Sequence, residues 1–172
     1  ELSQMQRLEE ENQTLKQMLQ NADRDLEEVT VAAPLLSWSK PAVAAGQESG
    51  VEVNAPVLVE NTMVGRVSQV KSNYSYVDLL KEQATQAVLA ETESGVQGLI
   101  KGDGRRVLLT ELPNQAEVRV GERVVTLGQE GLGPGIYIGE IASIQSGHSD
   151  AVKTAVIEQF VSFYEAVVVE IK

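Results

Sequence analysis

The sequence predicts a mainly β protein: an N-terminal α-helical coiled coil followed by small β-barrels or sandwiches. Three observations carry that expectation. Residues 1–30 contain two apolar series at sevenfold spacing, the chain from Val51 onward is cut into short β-branched runs by turn residues, and all 14 glycines lie after residue 30. Many short strands with almost no helical pattern after residue 30 suit closed sheets or sandwiches.

The helix comes first. Met5, Asn12, Leu19 and Leu26 are seven apart, as are Leu8, Leu15, Ala22 and Val29. With Met5 at heptad position a and Leu8 at d, the two series form one seam. Asn12 at an a position can bond its counterpart in a parallel pair, which costs stability and favours two strands. Glu11 at g faces Lys16 at e across such a pair. The pattern also fits one amphipathic helix packed on its own domain, but the narrow seam and polar flanks favour a dimer. About four heptads make a short coil that needs support from upstream.

The β region follows. Pro34, Pro41 and Gly46 break helix. Apolar runs at Val57–Val59 and Val64–Val70 flank a turn containing Asn61. The pair Asp103-Gly104 between Leu99–Ile100 and Val107–Leu109 is a strong hairpin signal. Val118, Val120 and Val124 alternate around a bend at Gly121, and the C-terminus closes on Val167–Val169. One stretch, Tyr76 to Ser94, is rich in helix formers, with Val77, Leu80, Ala84, Ala87 and Val88 at helical spacing. The β texture on both sides favours strand, turn, strand there.

Charge and composition exclude several functions. The 172 residues carry 14 basic and 25 acidic side chains, a formal net charge of −11. Residues 1–30 contribute −5 of this, so acidity is spread along the chain. Such a surface disfavours nucleic acid. The absence of cysteine excludes disulfides and thiolate metal sites and suits an extracytoplasmic bacterial protein. No apolar run reaches the roughly 20 residues of a membrane helix. The chain opens in mid-pattern without an initiator methionine, which suggests a fragment whose upstream membrane segment is missing.

No reacting constellation is legible, and no cofactor or metal is expected. The glycine-rich stretch Val124–Ile141 lacks the lysine and Ser/Thr of a P-loop and the helix of a dinucleotide fingerprint, and Glu130 would repel phosphate. It reads as a strand, a wide turn and a second strand, where the chain passes between barrels. His148 is the one histidine, and Ser146, Ser149 and Asp150 crowd the same polar loop. Catalytic triads draw their members from distant segments onto a constrained nucleophile turn, so this set reads as an exposed loop. The exposed-aromatic candidates for partner contact are Tyr74, Tyr76, Phe163 and Tyr164.

From Gly98 the motifs "GLIKGDGRRVLLTELP", "VRVGERVVTLG" and "GIYIGEI" occur in the order found in a known family. Gly98, Gly102–Gly104, Leu109, Leu112 and Pro113 match its hairpin and "L-x-x-L-P". Val118, Gly121, Val124–Thr126, Gly128, Gly135-Ile136 and Gly139 match its later glycine-bearing strands. The chain thereby resembles the bacterial rod shape-determining MreC family over nearly its whole length. It departs at Leu80–Ala90 and before Val51, where the family's basic and aspartate-containing stretch is absent.

The resemblance implies a single-pass inner-membrane protein whose tail and membrane helix lie upstream. It implies a coiled coil at 1–30 and two small β-barrels of the six-stranded type, the first from 31–77 plus 140–172 and the second, inserted, from 78–139. One barrel would resemble a chymotrypsin-like barrel without an active site. It further implies a non-enzymatic scaffold of wall elongation, homodimeric and capable of further self-assembly. The implied partners are MreD, a class B penicillin-binding transpeptidase, RodA and MreB. Two other readings compete: a periplasmic adaptor of an efflux or secretion assembly, and a trypsin-like hydrolase using His148. The adaptor usually has two helical arms, and this chain has one.

Overall fold

The computed structural model describes residues 31–37, 39–146 and 151–172. The proposed dimer seam from Met5 to Val29, together with Trp38 and the His148–Asp150 stretch, lies outside the described residues. Residues 31–172 form one compact unit.

Twelve strands build that unit: β1 (Val31–Ser37), β2 (Ala42–Val43), β3 (Pro56–Val59), β4 (Thr62–Val70), β5 (Ser75–Leu79) and β6 (Val88–Thr92) in the first half. The second half has β7 (Gln97–Gly102), β8 (Val107–Pro113), β9 (Arg123–Thr126), β10 (Tyr137–Ser146), β11 (Val152–Glu158) and β12 (Val168–Ile171). No α-helix occurs among the described residues. Six strands pair in the order β11-β8-β7-β6-β9-β10, and antiparallel pairing of β10 with β11 closes them into a barrel. The remaining six pair in the order β4-β3-β12-β1-β2-β5, and the β4–β5 ladder returns that circuit on itself. A single parallel pair, Tyr137 with Thr62, links the two circuits.

The turns show why these segments pair. Glu60 and Asn61 both have positive φ, 49° and 66°, which is the two-residue turn that matches the twist of the hairpin β3–β4. Asp103-Gly104 turns β7 into β8 as the dipeptide predicts, with Gly104 at φ 94°. In β8 the inward residues are Val107, Leu109 and then Leu112. Glu111 at φ 61° accompanies a register shift opposite Lys153 and Ala155, so the bulge turns Leu112 rather than Glu111 into the core.

Two apolar clusters fill the unit. One gathers Ile100, Leu109, Leu112, Val124, Ile138 and Ile141 inside the β6–β11 barrel. The other gathers Val43, Val57, Val67, Val77, Val169 and Ile171 within the second circuit. Each fully buried Leu or Ile contributes about 1.5–3 kcal/mol. Met63 of β4 and Leu80, just beyond β5, point into the first cluster, so the two circuits share a packed seam.

Several expectations change. Residues 80–87 form a turn between β5 and β6, as the β context favours and helix propensity does not. Leu79 O accepts from Glu82 N and Thr85 Oγ1, and Lys81 O accepts from Gly104 N, so these carbonyls are satisfied without a helix. Apart from the Tyr137–Thr62 pair, β10 and β11 pair with β9, with β8 and with each other, not with the strands of 31–77. The glycine-rich stretch therefore joins β9 to β10 within one barrel instead of crossing between barrels. Its polar groups are spent internally: Thr126 Oγ1 donates to Gly133 O and accepts from Ile136 N, and Gln129 Oε1 accepts from Leu89 N. Val120 lies outside any strand and is exposed.

A candidate partner-binding groove

Every strand named above is paired on both sides, so the two circuits leave no strand edge open among the described residues. They offer a groove. On one side of the seam a cleft of about 370 Å³ opens between the β7–β8 hairpin tip and the segment that leaves β11. Lys81, Arg105, Arg106 and Val107 form one wall, and Ala142, Val156, Ile157, Glu158, Gln159 and Val161 form the floor and the other.

The hairpin wall is held rigidly. Asp103 Oδ1 accepts from Arg105 N at 2.9 Å and Arg106 N at 2.7 Å, and its Oδ2 accepts from Arg106 Nε at 2.9 Å. The Arg106 and Arg105 backbone bonds are the main reason that the carboxyl titrates at about 2. The tip also docks on the 79–82 turn, because Gly104 N donates to Lys81 O at 2.8 Å. Gln83 Nε2 adds a bond to Asp103 O at 3.1 Å. At Gly102 a Cβ would stand 2.2 Å from the Lys81 carbonyl, so only glycine permits this contact.

Gln159 anchors the opposite wall. Its Nε2 donates to Met63 O at 2.7 Å and Ile138 O at 2.8 Å, tying the end of β11 to β4 and β10. Beyond it a smaller recess lined by Val64, Leu79, Ser162, Phe163 and Tyr164 shares Lys81, Gln159 and Val161 with the cleft. Lys81 Nζ stands 4.7 Å from the Tyr164 ring centroid, and the Tyr164 ring meets Phe163 edge-to-face at 5.8 Å. The lining of the two recesses carries three cations and one acid, Glu158, although the chain as a whole is strongly acidic.

The aromatic candidates divide between places. Tyr164 lines the smaller recess beside the cleft and is half-buried. Phe163 is only 2% exposed and belongs to the core, so it is corrected from a surface contact to a packing residue. The short 3-10 turn Phe163–Glu165 interrupts the strand alternation and turns its ring inward. Tyr74 and Tyr76 form an edge-to-face pair away from the groove, with Lys40 Nζ 3.8 Å from the Tyr76 ring centroid. The neighbouring Tyr76 hydroxyl pushes the Tyr74 phenol above its ordinary pKa. Phe160 was missed, yet it is 68% exposed beside Gln159. A signal existed: Ala155 and Ile157 point inward, which places Phe160 in the outward phase with Glu158.

Among the described residues there is no group of three or more His, Cys, Asp or Glu that could hold a metal. No helix among them is long and apolar enough to cross a membrane. Ser146 ends β10 on the surface, and its sequence neighbours His148, Ser149 and Asp150 are outside the described residues.

Residues 29–171 match the family description "Rod shape-determining protein MreC, barrel core". The chain belongs to the MreC family. It is 35% identical over 97 residues to the cell shape-determining protein MreC of Caulobacter vibrioides, an alignment covering 55% of this chain and 28% of that protein. The chain thus spans well under half of the MreC relative it matches. Its fold is shared by MreC of Listeria monocytogenes, with a TM-score of 0.75 at 22% identity, covering 99% of this chain and 91% of that one. It is shared also by a chain from the complex between penicillin-binding protein PBP2 and MreC of Helicobacter pylori, with a TM-score of 0.64 at 18% identity. That match covers 83% of this chain and 98% of the other.

Proposed function

We propose that this chain is the extracytoplasmic part of a non-enzymatic scaffold in the wall-elongation machinery, acting in cell-shape maintenance. The observation that carries the reading is the MreC barrel-core match over residues 29–171, nearly all of the chain. Residues 1–30 pair with a second copy through Met5, Leu8, Asn12, Leu15, Leu19, Ala22, Leu26 and Val29. An upstream helix tethers the dimer to the inner membrane, and the β circuits lie on the periplasmic side. The two circuits act as two barrel domains, divided near Leu79 and Gln159 because the apolar clusters divide there.

A class B penicillin-binding transpeptidase is the first partner to test, since an MreC relative has been captured with PBP2. MreD, RodA and MreB complete the assembly in this reading. The groove and its neighbour Phe160 supply the contact surface. Surface plasmon resonance of the full chain over the immobilised extracytoplasmic domain of its own organism's class B transpeptidase tests this. Saturable binding weakened by Phe160→Asp is expected. Absence of binding by a folded chain would refute the partner assignment.

A further inference from the structure

We propose that the seam groove accepts an extended, acidic segment of a partner polypeptide, lying beside Phe160 and Val161. Four observations converge on this occupant. Lys81 and Arg105 stand on one wall, beside an Arg106 whose charge Asp103 already meets, in a chain with net charge −11, so the groove attracts the charge that the rest of the surface repels. Its lining is apolar at Val107, Val156 and Val161. Among the described residues nothing hydrogen-bonds the main-chain N–H of Phe160 or Val161, which lie between β11 and the Phe163–Glu165 turn. Both walls are preorganised, one by the Asp103 bonds and the other by Gln159.

An extended peptide uses all four at once. Its main chain pairs with residues 160–161, alternate side chains reach the apolar lining, and its carboxylates meet Lys81 and Arg105. A free phosphate or lipid headgroup fits less well. It would leave the apolar lining uncovered, and the Arg106 guanidinium is already held by Asp103 at 2.8 Å. The inference rests on the scaffold reading only in expecting the segment to come from a protein of the same assembly.

Fluorescence anisotropy with the full chain tests it, using a fluorescein-labelled octapeptide of alternating glutamate and valine beside its lysine–valine counterpart. The glutamate peptide should bind, weaken about tenfold between 50 and 300 mM salt, and lose binding in Lys81→Glu/Arg105→Glu. Arg105→Glu alone, at an exposed turn position, should weaken it several-fold without disturbing the fold by circular dichroism. Equal binding of both peptides, or no effect of charge reversal, overturns the proposal. Binding to phosphatidylglycerol vesicles without binding to the glutamate peptide also overturns it, in favour of a lipid ligand. A chain that ignores the peptide but still captures the transpeptidase domain loses this proposal and keeps the scaffold; one that binds neither loses both.

Discussion

Gln159 joins two segments that are far apart in sequence, with Met63 96 residues before it and Ile138 21 residues before it. Gln159→Leu keeps the side chain's bulk and removes both donors. Each hydrogen bond contributes about 1 kcal/mol net, and a buried carbonyl left without its partner costs about 1–3 kcal/mol. Both carbonyls belong to strands and keep a second lone pair for other donors, so the lower end applies. The expected loss is about 2–3 kcal/mol, which at a urea slope of about 2 kcal/mol/M moves the midpoint by about 1–1.5 M. Gln159→Glu sharpens the test. A carboxylate there faces two carbonyl oxygens, so its folded-state pKa rises above the ordinary value of about 4.3. The charge penalty is then full above that raised pKa and disappears below about pH 4. Urea unfolding followed by circular dichroism at pH 7 and pH 4 measures both variants. If both midpoints stay within about 0.2 M of wild type at pH 7, Gln159 does not tie the seam together.

Three further outcomes follow from other parts of the molecule. Gly102→Ala should lower stability by more than about 2 kcal/mol in thermal or urea unfolding, because its methyl group would overlap the Lys81 main chain. The Asp103 carboxyl is depressed from 3.8 to about 2, so the turn's stabilisation is complete above pH 3.8 and is lost as pH falls through 2. The stability gap between wild type and Asp103→Asn should therefore narrow across that window in acid titrations. Light scattering should give about twice the monomer mass for the full chain and a folded monomer after deletion of residues 1–30. A deleted form that remains dimeric would refute the heptad seam.

By itself the sequence determined what depends on near neighbours. Asp103-Gly104 predicted a hairpin, which the structure closes with the four-residue loop 103–106, and Asn61 marked the two-residue turn of another, because turns are set by residues adjacent in sequence. The spacing of Val57–Val59, Val64–Val70 and Val107–Leu109 announced strands, and the order of glycine-bearing motifs from Gly98 to Gly139 pointed to the family. The tertiary structure decided which strands close upon which. β10 and β11 carry no mark in their residues saying that they complete the barrel of β6–β9, since closure rests on pairings such as Ala155 with Leu109. Likewise Phe163 and Phe160 are both aromatic and three residues apart, yet one is packed and the other exposed. The intervening backbone turns one ring inward, and local composition does not record that turn. Lys81 and Arg105 meet at the groove only because a glycine at 102 lets one hairpin tip rest on a turn more than twenty residues earlier. Local signals end where contacts between distant segments begin, and the groove is made almost entirely of such contacts.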